Sequence, residues 1–216
     1  MGRRTVTVTG SGRASATPDV VRLDLRVGHD APDVATALGG AATGIAEVGR
    51  VAREHGVADA DIRTLDASVS QRWDNTGTPV GFTAQQRLGL TVRRLEAVGE
   101  VLEAAAAAVG NALLVDQVRL DVADRTDALA RARDAAFADA HTRADQYATL
   151  AGAELGRVLG IAEGGAVPLA GPRMKFAAMA ADSAGAMPVE GGDLEIGASV
   201  TVTWELAGGA TPHASE

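Results

Sequence analysis

The sequence has no cysteine, one lysine, few aromatic residues and no long hydrophobic run. The absence of cysteine excludes disulfides, thiolate metal sites and cysteine nucleophiles. Only 3% of the residues are aromatic and 45 are alanine, so the core must be built from aliphatic and small side chains packed closely together. No stretch reaches the roughly 18 apolar residues of a membrane helix, and we therefore expect no membrane span.

The charge balance argues against a nucleic-acid partner. The formal net charge is −8, and the basic residues occur as isolated pairs such as Arg3-Arg4 and Arg93-Arg94. A polyanion would be repelled because no basic cluster offsets the net charge.

A secretory signal needs an apolar stretch of about 7 to 15 residues after a basic start, whereas residues 5–9 alternate Thr and Val. This start predicts a strand and a cytoplasmic location.

Alternating apolar and polar residues predict several strands. In the clearest one, residues 20–28, Val and Leu alternate with Arg and Asp, which is typical of a sheet with one buried face. The first strand is expected to end at Gly10-Ser11-Gly12, and the turn-forming residues 74–79 predict a long hairpin. The predicted strands are residues 5–9, 20–28, 62–72, 80–93, 113–122, 157–162 and 197–206.

Apolar residues spaced by three and four predict three helices, near residues 32–55, 95–109 and 124–151. We expect Asp30 to cap the first helix and Gly56 to end it, and Asp124 to cap the third. The third helix carries alanine at every fourth position from Ala128 to Ala148. Such a ridge of methyl groups lets another backbone come close, either a sheet of the same chain or a helix of a second subunit.

The sequence offers no catalytic or metal-binding pattern. Its four histidines, His29, His55, His141 and His213, are far apart, so no local metal spacing exists. No serine has a plausible base nearby, and the helix that a dinucleotide site requires does not follow Gly10-Ser11-Gly12. We therefore predict that the protein is not an enzyme and has no catalytic residue, no cofactor and no metal.

A long segment, residues 164–193, is rich in Gly, Ala and Pro and carries Met174, Phe176 and Met179. Loops of this length inside a compact domain are usually either functional or disordered. Its Met and Phe side chains are either a flexible apolar contact surface or part of one helical turn packed on the body, and both interpretations stay open. Residues 207–216 are expected to be a disordered tail.

Five short segments, in order, resemble the SIMPL-domain family, which is widespread in bacteria and has a eukaryotic relative that associates with a signalling kinase. They are Val6–Gly12 followed by Pro18-Asp19; Gly56-Val57 with Asp61–Thr64; Gly81–Ala84 before the strand at 88–92; Leu155–Val158 after the alanine-spaced helix; and Pro188–Gly191 before the last strand. The resemblance spans residues 5–206.

This resemblance implies an α+β fold of two αβ sandwich halves, in which antiparallel sheets are covered by three main helices. We expect one domain over residues 1–206, with 1–75 and 157–206 in one half and 76–156 in the other. The resemblance also implies homo-oligomers, including ring or channel-like assemblies, and cell-envelope or stress phenotypes, and it carries over no catalytic residue. Most bacterial members are exported, so the cytoplasmic location predicted above departs from the family.

Two hypotheses for the function follow. The first is a non-enzymatic, self-associating protein that acts through contacts with its own copies and with other proteins, through its small-residue helix faces and Met174, Phe176 and Met179. The second is a ligand-binding or enzymatic domain with a cleft between the halves. Its ligand would lie near three residues of the hairpin, Trp73, Phe82 and Arg87.

Trp73 and Phe82 stand where the family usually has an aromatic residue before the central turn and a tyrosine after it. The hydroxyl of that tyrosine is missing here, so a ligand role that depends on it does not transfer. We predict that Trp73 and Phe82 form a cross-strand aromatic pair.

Overall fold

The structure is a computed structural model that describes residues 3–164 and 192–208. Within these residues the elements are β1 Thr5–Ala16, β2 Val20–Ala31, α1 Val34–Glu54, β3 Ile62–Trp73, β4 Pro79–Val92, α2 Ala97–Val109, β5 Leu113–Asp121, α3 Thr126–Leu150, β6 Glu154–Gly164 and β7 Leu194–Ala207. The strands form two antiparallel sheets, with strand orders β1-β7-β6 and β3-β4-β2-β5, which confirms the α+β fold. The predicted hairpin of β3 and β4 is confirmed.

The chain divides into two compact units. The first contains β1, α3, β6 and β7, and the second contains the segment Pro18–Ala123 with the four-stranded sheet, α1 and α2. These units divide the chain at other points than the expected halves, 1–75 with 157–206 and 76–156. The reason is strand pairing: β2 lies between β4 and β5 in one sheet, so it cannot belong with β1.

The core of the second unit lies between its sheet and the helices α1 and α2. Val21, Leu23, Leu25 and Val27 alternate along β2 and are buried against apolar residues of both helices. This is the one-faced burial that their spacing predicts. Because neighbouring residues of a strand point to opposite faces, Arg22, Asp24 and Arg26 lie on the other face of the sheet.

The ends of α1 correct one prediction and confirm another. The carboxylate of Asp33 accepts a hydrogen bond from the backbone N–H of Thr36 at 2.9 Å, so Asp33 is the N-cap. The expectation that Asp30 caps the helix was wrong because β2 continues to Ala31. The helix ends as expected before Gly56, whose φ of 86° is a left-handed conformation that favours glycine.

In the first unit, α3 packs its alanine ridge on β1 and β7. The residues of the ridge are all buried: Ala128, Ala132, Ala136, Ala140, Ala144 and Ala148. Of the two interpretations of this ridge, a helix face on a sheet of the same chain is therefore correct. The helix begins at Thr126, two residues after the predicted start, and its N-cap is Arg125 and not Asp124 as expected. The carboxylate of Asp124 accepts a hydrogen bond from the backbone N–H of Thr126 at 2.9 Å.

β1 continues through the glycines that were expected to end it. Gly10 and Gly12 pair with Val200 and Ala198 of β7, and the strand extends to Ala16. A Cβ on Gly12 would lie 2.1 Å from the carbonyl oxygen of Ala132. The two glycines therefore allow the helix backbone to approach the sheet, and the turn prediction was wrong because this packing outweighs the local preference of glycine for turns.

Candidate functional site on the four-stranded sheet

The face of the four-stranded sheet opposite α1 and α2 is covered by paired arginines and aspartates, and we call it the charged face. Register places Arg26 of β2 directly opposite Arg87 of β4, and Arg87 beside Asp66 of β3. The charged face includes Arg22, Asp24, Arg26, Asp30, Asp66, Arg72, Thr83, Gln85, Arg87 and Asp116.

Arg87 lies at the centre of the charged face and contacts carboxylates from three strands. Its Nη1 donates to Asp66 Oδ2 at 2.8 Å, its Nη2 lies 3.9 Å from Asp24 Oδ2, and its Nε lies 3.1 Å from Asp116 Oδ2 without hydrogen-bond geometry. The hydrogen bond to Asp66 raises the pKa of Arg87. The guanidinium therefore links β2, β3 and β5 through β4.

Arg26 shares a carboxylate with Arg87. Two like charges directly opposite on a sheet destabilise it, but here Asp116 forms an ion pair with both arginines, and Gln85 Oε1 accepts a hydrogen bond from Arg26 at 3.0 Å. A register shift between β2 and β5 makes Asp116 an extra residue of its strand. Bulges of this kind redirect a side chain, which explains why alternation along β5 does not predict the position of Asp116.

A second group of hydrogen-bonded and ion-paired side chains on the charged face lies nearer the β3–β4 turn. Asp30 accepts a hydrogen bond from Thr83 Oγ1 at 2.6 Å and forms an ion pair with Arg72 at 3.0 Å. Asp30 thus connects β2, β4 and β3 instead of capping α1. At the turn itself, the carboxylate of Asp74 accepts hydrogen bonds from Thr76 and Thr78, which lower the pKa of Asp74.

The three hairpin residues predicted from the sequence do not form one site. Phe82 pairs with Gln71 and Ala31 and is half-buried against small residues of α1 and the sheet. Trp73 pairs with Pro79 and is 58% exposed. The predicted Trp73–Phe82 cross-strand pair was wrong because the register of the hairpin places Gln71, and not Trp73, opposite Phe82. Arg87 lies on the charged face, opposite the face that carries Phe82.

The remaining predicted contact residues, Met174, Phe176 and Met179, lie outside the described residues, as do most of the 164–193 loop and of the 207–216 tail. Within residues 3–164 and 192–208, no three His, Asp or Glu side chains are grouped so that they could hold a metal ion. In the same part of the chain, no helix is long and apolar enough to cross a membrane.

The sequence indicated part of this site. Its alternation along β2 placed Asp24 and Arg26 on a polar face, and Arg87 was a predicted site residue. Asp66 and Asp116 were missed. The positions of both depend on register shifts, between Thr64 and Asp66 in β3 and at Asp116 in β5, which alternation along a strand does not reveal.

Two curated relatives resemble this chain. They are the proteins named "26 kDa periplasmic immunogenic protein" in Brucella melitensis and in Brucella abortus. Each is 27% identical over 215 residues, which cover 93% of this chain and 84% of the relative. Both names say periplasmic, whereas the sequence predicts a cytoplasmic location for this chain, and that location stays a prediction.

A family model also matches the chain, over residues 6–204, and its description is SIMPL, protein of unknown function (DUF541). The match covers both sheets and all three helices described above. It therefore accounts for nearly the whole fold. The chain belongs to the SIMPL (DUF541) family.

Proposed function

We propose that this protein is a non-enzymatic, self-associating member of its family that acts through protein–protein contacts, with further copies of itself as the first partner. The observation that carries this proposal is the exposure of apolar side chains on the edge strands of both sheets. The stress-related role and additional partners that the family resemblance implies stay predictions.

Each sheet has an edge strand with exposed apolar residues. β3 exposes Val69 and Trp73, while β6 exposes Val158, Leu159 and Ile161. Ile161 pairs with the buried Val202 but is itself 62% exposed. Edge strands present unpaired N–H and C=O groups, and apolar side chains beside them favour the addition of a further strand.

The charged face supports contact rather than chemistry as the role of this sheet. Its arginines are neutralised by aspartates on neighbouring strands. Because the pKa of Arg87 is raised, its guanidinium stays protonated and cannot accept a proton. An anionic ligand would have to compete with the three carboxylates that already lie within 4 Å of Arg87.

Light scattering after size exclusion, at two protein concentrations and two salt concentrations, tests the proposal. We expect a mass that is a multiple of the 21.9 kDa chain. A mass of one chain at micromolar concentration would overturn self-association. A thermal-shift screen with metabolites and divalent cations addresses the ligand-binding alternative: stabilisation by one of them, together with a monomeric mass, would favour a binding domain.

A further inference from the structure

β3 is a long edge strand whose outer side has no strand partner among residues 3–164 and 192–208. Its twelve residues are exposed apart from Ile62 and Leu65, which are half-buried. Natural sheets commonly protect such edges with proline, charged side chains, bulges or short strands. β3 contains no proline, so its bulges, its charged side chains or a partner strand must protect it.

The bulges leave a regular segment between them. Register shifts occur between Thr64 and Asp66 and between Arg72 and Trp73, and from Asp66 to Arg72 each residue of β3 pairs in order with one of β4. This segment has seven residues, with Val69 at its centre. Bulges interrupt a hydrogen-bond ladder, so Asp66–Arg72 is the part of the edge that can accept another strand.

The regular segment is complementary to itself. If a second copy of Asp66–Arg72 is added antiparallel, with Val69 opposite Val69, then Asp66 lies opposite Arg72 and Ser68 lies opposite Ser70, each twice. Opposite residues point to the same face of a sheet. The charged face therefore gains two ion pairs and two hydroxyl pairs, and the other face gains a central Val69–Val69 contact.

Other registers lose this match. A two-fold axis at Asp66 or at Arg72 would place like charges opposite each other, which destabilises a sheet. An axis at Ser68 or Ser70 would leave Asp66 without Arg72 opposite it. Within the regular segment, the axis at Val69 alone pairs both charges with opposite charges.

Asp66 and Arg72 are already held in place for this contact. Asp66 accepts a hydrogen bond from Arg87 and Arg72 forms an ion pair with Asp30, while the two side chains remain 49% and 43% exposed. A carboxylate has two oxygens and a guanidinium has five N–H donors, so each can bind a second partner. Side chains that are already ordered lose less entropy when they form a further ion pair.

The other described edges lack this combination. Register shifts also interrupt β6 and β5, and the longest regular segment of each has five residues, 160–164 and 117–121, against seven in β3. Glu163 is the one charged residue of the β6 segment, and in the β5 segment Asp121, which an antiparallel copy could place opposite Arg119, is buried. β1 is regular along its length, but Arg13 is its one charged residue, so an antiparallel copy brings no acidic partner. The longer regular segment of β3 and its exposed, complementary charges together favour β3 over β1, β5 and β6.

We propose that β3 is the interface with a second copy of this chain, which adds its own β3 antiparallel with Val69 opposite Val69, so that two four-stranded sheets become one continuous sheet. This inference rests on the self-association proposed above and names the surface that performs it.

A single cysteine tests the register directly, because the natural chain has none. Directly opposite residues of antiparallel strands have Cα atoms about 4.5 to 5.5 Å apart, which is within the range of a disulfide. We expect Val69→Cys to form a covalent dimer under mild oxidation, seen on a non-reducing gel. Val80→Cys is the matched control: it is also exposed, but on β4, and should form at least about tenfold less dimer.

Charge reversal provides the second test. Asp66→Lys places Lys opposite Arg72 of the other copy, and Arg72→Glu places Glu opposite Asp66, so each variant alone should associate at least about tenfold more weakly. In an equimolar mixture of the two variants, the introduced lysine of one chain would meet the introduced glutamate of the other. The Asp66 and Arg72 that remain unchanged would also lie opposite each other, which should restore association. Circular dichroism controls for folding, since Asp66→Lys also removes the contact with Arg87.

The outcomes separate this inference from the proposed function. A covalent Val69→Cys dimer together with rescue in the mixture would support the β3 interface. A mass above one chain without the covalent dimer and without rescue would overturn the interface and leave self-association in place. A monomeric mass for the natural chain would overturn both.

Discussion

Gly10 of β1 lies so close to Ala136 of α3 that a Cβ built on the glycine would be 2.1 Å from the alanine carbonyl oxygen and 2.4 Å from the backbone nitrogen of Ala140. The obstacle is backbone, so no side-chain rotation can relieve it. The small residues on both partners thus set the distance between the helix and the sheet in the first unit.

Gly10→Ala should therefore destabilise the protein by about 3 kcal/mol, the upper part of the range for overpacked cores, because α3 must move away from β1. The measurement is urea unfolding followed by circular dichroism. Gly160→Ala is the control: Gly160 lies in β6 of the same sheet, and a Cβ there meets no atom of the residues that the structure describes within 4 Å. It should change the free energy of unfolding by less than about 1 kcal/mol. Equal losses in the two variants would contradict the packing argument.

This contact also shows what sequence patterns can and cannot provide. The four-residue spacing from Ala128 to Ala148 predicted a close approach of α3, because helical periodicity is a local property. The end of β1 at Gly10 was wrong because glycine is permissive: it suits a turn and equally a crowded strand. Whether Gly10 lies in a turn or in a crowded strand depends on the helix packed against it, and the contacting residue Ala136 lies more than a hundred residues away in the sequence.

On the charged face too, the sequence pattern predicts local features but not contacts between distant residues. Alternation placed Asp24 and Arg26 on a polar face, since strand period is local. The pairing of Arg87 with Asp66 and Asp116 depends on which strands are neighbours and on a bulge. The order β3-β4-β2-β5 joins residues distant in sequence, so periodicity alone could not bring these carboxylates together.

Arg87→Met should lower the stability of the second unit, because Asp24, Asp66 and Asp116 would lose their shared cation and repel one another. We expect a clear decrease in the midpoint of thermal unfolding. Arg50→Met is the comparison: Arg50 pairs with Glu47 and Glu54 on the exposed side of α1, and exposed pairs contribute little. If Arg50→Met destabilises as much as Arg87→Met, the charged face has no special role in holding its strands together.

The cap of α1 predicts a pH dependence. Hydrogen bonds from Thr36 lower the pKa of Asp33 below its ordinary value of 3.8. A carboxyl whose pKa is lower in the folded protein contributes stability above its unfolded pKa and loses it as pH falls through the folded one. The contribution of Asp33 should therefore be complete at neutral pH, begin to fall as the pH approaches 3.8 and be lost as the pH falls through the lower pKa of the folded protein.

Asp33→Asn and Asp33→Ala separate the charge of this cap from its hydrogen bond. Asparagine also caps helices, so Asp33→Asn should retain most of the stability at neutral pH but lose the part of the acid dependence that Asp33 causes. Asp33→Ala should be less stable than Asp33→Asn at neutral pH. Thermal unfolding at a series of pH values measures both effects, and identical acid profiles for the natural chain and Asp33→Asn would contradict the assignment.

The two tryptophans should report on the two units separately. Trp204 is 2% exposed and contacts the rings of Phe137 and His141 in the first unit, whereas Trp73 is largely exposed at the end of β3 in the second. Acrylamide quenches accessible indoles, so Trp73→Phe should remove most of the quenchable emission and leave a blue-shifted spectrum from Trp204. The natural chain should show two classes of emission, one quenched and one resistant. A Trp73→Phe variant that is still strongly quenched in its folded state would mean that Trp204 is accessible, and the packing of α3 on β7 described above would then be wrong.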